Sequence, residues 1–351
     1  MSVQTDKLEA AHRAVVTAAH VTRLVQRRLD DFRSLLKPDD SPVSVADFAA
    51  QAVVAHCLRE RLGPIAMVGE ESAGELQAML AAGDSAVPNQ VLDAVRTVWP
   101  NASMDTMLEA IDVGKDEPPD ATAPYWTLDP IDGTKGFLRG QQYAISLAWI
   151  EGAQVTIGAL GCPNMALDQA QPLDKVDAAG SIYMATVDGP VLEGACAPDS
   201  QLHTMRRPAH NPAAGICTTA SVEKGHSNQG ATAQVLAWIA QHVPPEHGGV
   251  ADPVRIDSQA KYAVVARGQA DAYLRFPVKK GYVEKIWDHA AGAIVALRAG
   301  VRVTDVDGAE LDFSCGSTLA RNRGIVCAPP EVHERIMEAI AALRPGQPVS
   351  G

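Results

Sequence analysis

The sequence predicts a layered sandwich of mixed α+β and α/β character. An N-terminal antiparallel sheet with helices would occupy residues 1–208, and a smaller C-terminal α/β domain residues 209–351. Three observations carry this. Leu8, Ala11, Val15, Ala18, Val25, Leu29, Phe32 and Leu36 recur near helical spacing. Two apolar runs meet at the short turn Glu151-Gly152-Ala153, which joins antiparallel strands. Beyond residue 212, strand-like and helix-like stretches alternate, the order of an α/β arrangement. A chain of 351 residues holds about two domains of roughly 150 residues each.

The first pattern predicts one amphipathic helix over residues 6–36. Ser44 to Asp47 has the spacing of a capping box opening a second helix, with Phe48, Ala52, Val53 and His56 on one face and Gly63 as its stop. Pro64 to Val68 reads as a short strand running into Gly69-Glu70-Glu71-Ser72. Residues 75–124 combine helical pattern with Pro88, Pro100, Pro118, Pro119 and Pro124, a long excursion of the kind used as a lid or substrate wall. Tyr143–Ile150 and Gln154–Leu160 form the antiparallel pair, and Ser181–Val187 and Ala213–Thr219 add strands. Residues 164–180 read as a loop, and the proline-rich stretch 188–212 divides the domains. A helix over 228–242 follows, then strands near Val254, Ala263 and Ala272, a helix over 287–299, and strands near Val301 and Ile325.

Charge and cysteine usage narrow the function classes. With 42 acidic against 30 basic residues the net charge is −12, which opposes binding to a nucleic acid polymer or an anionic membrane. The six cysteines are scattered without a C-x-x-C pair, so neither a zinc site nor a disulfide framework is expected and a reducing compartment fits. No apolar leader and no apolar run of about 20 residues stands out, which predicts a cytoplasmic protein.

The most informative stretch is Trp126-Thr-Leu-Asp129-Pro-Ile-Asp132-Gly-Thr-Lys-Gly136. Asp129 and Asp132 set two carboxylates at the end of an apolar run, and their hard oxygens suit Mg²⁺, with the Ile131 carbonyl as a third oxygen between them. Gly133 and Gly136 let a backbone approach an anion closely, and Thr134 adds a hydroxyl able to orient a water. Taken singly, each signal has a plain structural reading. An Asp pair around Pro130 suits a turn, adjacent acids after a strand suit a solvated loop, and Asp288 suits a helix N-cap.

Taken together, Glu71 within Val68-Gly-Glu-Glu-Ser72, the run Leu128–Thr134 and Trp287-Asp-His-Ala-Ala-Gly292 resemble the magnesium-dependent, lithium-sensitive inositol monophosphatase superfamily. Lys135-Gly-Phe-Leu-Arg-Gly140, Ser41–Asp47, Ser221–Ser227, Asp257–Tyr262 and Tyr273–Phe276 resemble its 3′(2′),5′-bisphosphate nucleotidase branch. The resemblance implies that Glu71, Asp129, Asp132, Asp288 and the Ile131 carbonyl hold two or three Mg²⁺ ions, while Asp47 and Thr134 orient the attacking water. It places Gly133, Thr134, His226, Ser258, Lys261 and Arg275 around the substrate, with Lys261 and Arg275 as the cations for a second phosphate. The implied reaction is hydrolysis of the 3′-phosphate of adenosine 3′,5′-bisphosphate, with 3′-phosphoadenylyl sulfate as a second substrate, Li⁺ as inhibitor and a monomer or weak dimer as the working form. Two alternatives stay open: an inositol polyphosphate 1-phosphatase or monophosphatase on the same metal motifs, and a catalytically slow nucleotide-binding sensor.

Overall fold

The structure, a computed structural model, describes residues 3–29, 42–115, 117, 122–222, 229–242, 249–277, 279 and 281–343. In chain order its helices are α1 (Val3–Arg27), α2 (Pro42–Leu62), α3 (Gly74–Ala81), α4 (Ala86–Arg96), α5 (Met104–Ile111), α6 (Thr134–Leu138), α7 (Gln229–His242), α8 (Ala260–Ala266), α9 (Ala290–Arg298) and α10 (Pro330–Leu343).

Seven strands pair in sequence order: β1 (Met67–Gly69), β2 (Tyr125–Asp132), β3 (Ala144–Glu151), β4 (Gln154–Cys162), β5 (Ser181–Thr186), β6 (Leu192–Ala195) and β7 (His203–Thr204). All neighbours are antiparallel except β1 and β2, which run parallel. A second sheet has the order β11-β12-β10-β8-β9, from β8 (Thr218–Ala220), β9 (Val254–Arg255), β10 (Ala272–Arg275), β11 (Arg302–Thr304) and β12 (Ile325–Ala328).

Strand β3 shows why helices must cover both faces of the first sheet. Every residue from Ala144 to Ile150 is buried, and the alternation splits them. Ile145, Leu147 and Trp149 join the core under α1 and α2, while Ala144, Ala148 and Ile150 face the other side, toward α8 and α9. Glycines let the helices come close on each face of β4. A Cβ at Gly161 would meet Val15 Cγ1 of α1 at 2.6 Å, and one at Gly158 would meet Ile294 Cγ2 of α9 at 2.3 Å. On its far face the second sheet packs Ile216, Leu274 and Val326 against α7 and α10 through Val235, Ile239 and Ile336. The layers are therefore α1/α2, first sheet, α8/α9, second sheet, α7/α10.

Several expectations are corrected. The first helix ends at Arg27 rather than running to residue 36, and residues 30–36 lie outside the described residues. Helix α2 is already helical at Pro42, a residue whose fixed φ suits a first turn, so Ser44 to Asp47 sits inside the helix and is not its cap. Its buried positions run almost without a break from Val45 to Ala55, so it is enclosed on all sides instead of showing one face; Gly63 does end it, at φ 78°. The excursion 75–124 is built into the core on one side and walls a cavity of about 940 Å³ on the other, through Gln77, Asp105, Leu108 and Lys115. It forms α3, α4 and α5, whose Leu76, Val91, Val95, Met107 and Ile111 join the same core as α2. Ala263 lies in α8, not in a strand, because a short run apolar on every side carries no periodicity to separate helix from strand. The strand expected over 213–219 begins only at Thr218, after a turn capped by Asn211 with Pro212 at its start. Strands β6 and β7 and helix α10 have no counterpart in the sequence reading.

Candidate active site

Strand β2 ends in Asp129-Pro130-Ile131-Asp132. Its pairing with β3 passes from Asp129↔Ser146 to Asp132↔Ala144, so three steps on β2 oppose two on β3. Pro130 has no N–H to give to the ladder, and the bulge falls there. The break leaves Asp129 only 2% exposed while Asp132 reaches the rim. On the other flank β1 pairs Gly69 with Leu128, and the Glu70 N–H donates to the Leu128 carbonyl at 3.1 Å. That register sets the Glu70 carboxyl close enough to Asp129 for its charge to raise Asp129. Gly133 then turns the chain at φ 91°, in the left-handed region, into α6. A Cβ there would meet Ser258 Cβ at 2.8 Å, so glycine is needed for the close approach as well as for the turn.

The segment before α8 completes the cleft. Ser258 is itself left-handed at φ 72°, and the next residue, Gln259, donates its N–H to the Asp132 carboxylate. The Gln259 side chain donates to the Trp287 carbonyl at 2.8 Å and accepts from Ser146 Oγ at 3.0 Å. Gln259 thus fastens Asp132, the strand partner of Asp129 and the peptide leading into Asp288. Helix α2, which carries buried Asp47, packs on α6.

The electrostatics are those of an uncompensated acid cluster. Burial, followed by the charges of Glu70, Asp132, Asp288 and Asp47, pushes Asp129 well above the usual carboxylate range. Burial and the charges of Glu71 and Glu70 do the same to Asp47. Asp288 rises to about 7 through burial and the Asp132 charge. Glu70 keeps solvent access at the cleft mouth, yet the surrounding walls desolvate it and its level is also about 7. Glu71 reaches about 7 by burial and the nearby Glu75. Asp132 is raised less, because Lys261 and the Gln259 N–H oppose its burial.

Cations line the opposite wall. Lys261, 6% exposed, donates to Ser221 Oγ at 3.0 Å, and burial lowers it to about 8. Arg275 donates from Nε to Glu284 Oε1 at 2.8 Å. Both line a cavity of about 190 Å³ with Thr219, Ser221, Arg255 and Tyr273.

The donor set fits a hard divalent cation. Asp129 Oδ1 is buried without a hydrogen-bond partner, and the acids around it repel one another. Ligand-type atoms of Glu284, Asp288 and His289 also lie within 4.8 Å of one another. Glu284, however, is already engaged by Arg275 and His289; burial alone would raise it, but these bonds bring it down to about 2.

The structure therefore brings Asp47, Asp129, Asp132 and Asp288 together, with Ile131 buried between the two β2 acids and Thr134 exposed at the first position of α6. Glu71 stands one step aside. Gln51 clamps its backbone on both sides, at 2.6 and 3.2 Å, and its charge is felt by Asp47, whereas Glu70 faces Asp129 and Asp288. The sequence pattern Glu-Glu does not separate the two; the β1/β2 register does. Gln259 and Glu284 also escape sequence reading, since a glutamine and a loop glutamate carry no motif of their own. His226 lies outside the described residues.

A sequence model of the inositol monophosphatase family matches residues 8–344. The chain is 39% identical over 333 residues to a protein of Emericella nidulans named 3′(2′),5′-bisphosphate nucleotidase, covering 87% of this chain and 89% of that one. It is 36% identical over 348 residues to an Oryza sativa protein of the same name, covering 95% and 93%. Among solved structures, CysQ from Bacteroides thetaiotaomicron, a bacterial member of the inositol monophosphatase family, matches with a TM-score of 0.59 over 92% of this chain and 97% of that chain; at 19% identity the likeness is one of fold.

Proposed function

The chain belongs to the inositol monophosphatase family, and on that premise we propose that it is a Mg²⁺-dependent phosphatase that hydrolyses the 3′-phosphate of adenosine 3′,5′-bisphosphate, giving AMP and phosphate. One observation carries this reading: a buried acid cluster with an unpartnered Asp129 oxygen faces two cations, Lys261 and Arg275, that share a cavity. A cation-and-phosphate site on one side and an anion site on the other suit a substrate with two phosphates.

In this reading Asp129, Asp132, Asp288 and Glu70 hold the Mg²⁺, with the Ile131 carbonyl and Glu71 beside them. When bound, the metal supplies positive charge to the phosphate oxygens and lowers the pKa of a water. Asp47 and Thr134 orient that water. Asp47 is suited to hold a proton, because burial and the Glu71 and Glu70 charges disfavour its anion. The left-handed turn at Gly133 opens the loop for the scissile phosphate. Lys261, Arg275, Ser258 and His226 receive the nucleotide and its second phosphate. We extend the proposal to 3′-phosphoadenylyl sulfate as a second substrate, Li⁺ as an inhibitor, a monomer or weak dimer, and a cytoplasmic location. Among the described residues no helix is long and apolar enough to cross a membrane.

The test is phosphate release from adenosine 3′,5′-bisphosphate, inositol 1,4-bisphosphate and inositol 1-phosphate, with Mg²⁺ and with added Li⁺. The nucleotide should give the highest kcat/KM, only with Mg²⁺, and Li⁺ should suppress it. A higher kcat/KM for either inositol phosphate overturns the choice of substrate.

A further inference from the structure

Glu284 is 3% exposed, yet it is an acid with two separate partners. Its Oε1 accepts from Arg275 Nε at 2.8 Å. Its Oε2 lies 3.3 Å from His289 Nε2, and the other ring nitrogen of His289 lies 2.9 Å from the Tyr262 hydroxyl. Tyr262 neighbours Lys261 on α8, and its ring packs so closely on α9 that a Cβ at Gly292 would meet Tyr262 Cδ2 at 2.2 Å. His289 follows Asp288 directly. Arg275 has a second restraint, donating from Nη2 to the Tyr282 hydroxyl at 3.3 Å. A planar guanidinium held at Nε and one Nη keeps one orientation, whereas a free arginine samples many rotamers.

We propose that Glu284 is a positioning residue that sets substrate specificity: it fixes the Arg275 guanidinium at the cavity shared with Lys261, so that the cation is ordered for the substrate's second phosphate before binding. Its other oxygen fixes His289 next to Asp288, which ties the anion-binding wall to the acid cluster. The inference rests on the substrate reading given above. Glu284 touches neither substrate nor reacting atoms; it acts through Arg275.

The charge logic supports this. An arginine aimed at a phosphate without a carboxylate behind it would stand as a half-buried, unpaired cation when the site is empty, which is costly. Glu284 neutralises it in the free enzyme through the Nε donor, and a second donor, on Nη2, is spent on the Tyr282 hydroxyl. Because the same carboxylate serves both Arg275 and His289, replacing it alters two contacts in one step.

The experiment compares steady-state kinetics of wild type, Glu284→Gln, Arg275→Ala and the double variant on adenosine 3′,5′-bisphosphate and on 3′-AMP, which lacks the second phosphate. Glu284→Gln keeps shape and one acceptor oxygen, and thermal melting reports whether each variant is folded. The expected result is that Glu284→Gln raises KM for the bisphosphate about tenfold more than KM for 3′-AMP, a difference of about 1.4 kcal/mol. In the Arg275→Ala background the same change should add almost nothing. Equal effects on both substrates, or effects that multiply fully in the double variant, overturn the positioning role. The wild-type ratio of kcat/KM for the two nucleotides tests the substrate reading on its own. A wild type with no preference for the bisphosphate rejects that reading, while the double-variant comparison still judges the Glu284–Arg275 link.

Discussion

On the β1/β2 side of the cleft, Asp47, Glu70, Asp129 and Asp132 crowd together, and burial with the neighbouring acid charges raises Asp47 and Asp129, whereas on the β10 side Glu284 pairs with Arg275 at 2.8 Å and holds His289 at 3.3 Å. The acid wall leaves an oxygen of Asp129 without a partner; in the basic wall Arg275 is already balanced by Glu284. The difference teaches what each wall waits for. The first is complete only with a cation in it, and should lose most of its function when a carboxylate is neutralised. The second is ordered beforehand, and changes there should act on substrate affinity more than on turnover.

The sharpest way to break this contrast is Asp129→Asn. It should reduce kcat roughly a thousandfold, the scale of the several kcal/mol of charge stabilisation a metal supplies. It should also raise the melting temperature measured in EDTA, because it removes the most crowded charge in the cluster. Turnover within tenfold of wild type would contradict the assignment of the acid wall.

Removing Mg²⁺ comes next. The carboxyls of Glu70, Glu71 and Asp288 stand at about 7 in the folded protein, above their ordinary values of 4.5, 4.5 and 3.8. A raised folded value means the native state holds protons the unfolded state has lost. The contribution of these three carboxyls to metal-free stability is therefore greatest below about pH 4 and declines between about pH 4 and pH 7. In EDTA the melting temperature should fall across that window, and added Mg²⁺ should restore it more at pH 8 than at pH 5.5, as scanning calorimetry would read. An EDTA profile that rises with pH across the window contradicts the cluster.

Much of this was legible in the sequence, and the reasons for the exceptions are physical. The β2 acids, the Gly133 turn and the β3/β4 hairpin follow from spacing and turn residues, which are local properties. The separation of Glu70 from Glu71 depends on the register Gly69↔Leu128, a pairing across almost sixty residues that no local pattern encodes. Helix α8 was hidden because Ala260–Ala266 is buried all round, and an enclosed segment has no amphipathic period. The stretch 164–180 does read as a loop, but not the reason it holds its path. Arg23 donates to the carbonyls of Pro163 and Ala179 at 3.0 and 2.6 Å, Gln142 to those of Leu173 and Lys175, and Arg267 to that of Ala166.

The contact that joins the two walls gives a third, smaller prediction. Gly133→Ala places a side chain at φ 91° and drives its Cβ to 2.8 Å from Ser258 Cβ. The left-handed conformation alone costs about 1–2 kcal/mol, and the collision must displace Ser258 and with it the Gln259 N–H that holds Asp132. Urea unfolding should show a loss of at least that size, and kcat should fall along with it. A variant of wild-type stability and activity would mean that the walls do not meet at this point.

The smallest expected effect isolates a single cation of the basic wall. Burial lowers Lys261 from 10.5 to about 8, with the Asp132 charge pulling the other way. Below that value the ammonium is present to meet the second phosphate; above it the amine is neutral and offers only a dipole. KM for adenosine 3′,5′-bisphosphate should therefore climb as pH rises through about 8. The ceiling is about tenfold, the worth of a charge-assisted hydrogen bond of about 1.5 kcal/mol. The substrate's own titration does not interfere, since a phosphate monoester loses its second proton near pH 6. With 3′-AMP the climb should be shallower, because the phosphate that Lys261 would hold is missing. Lys261→Met should start at the high KM and stay flat from pH 7 to 9. If wild type and Lys261→Met keep parallel profiles over that range, the ammonium is not what receives the second phosphate, and the basic wall rests on its arginines, Arg275 and Arg255.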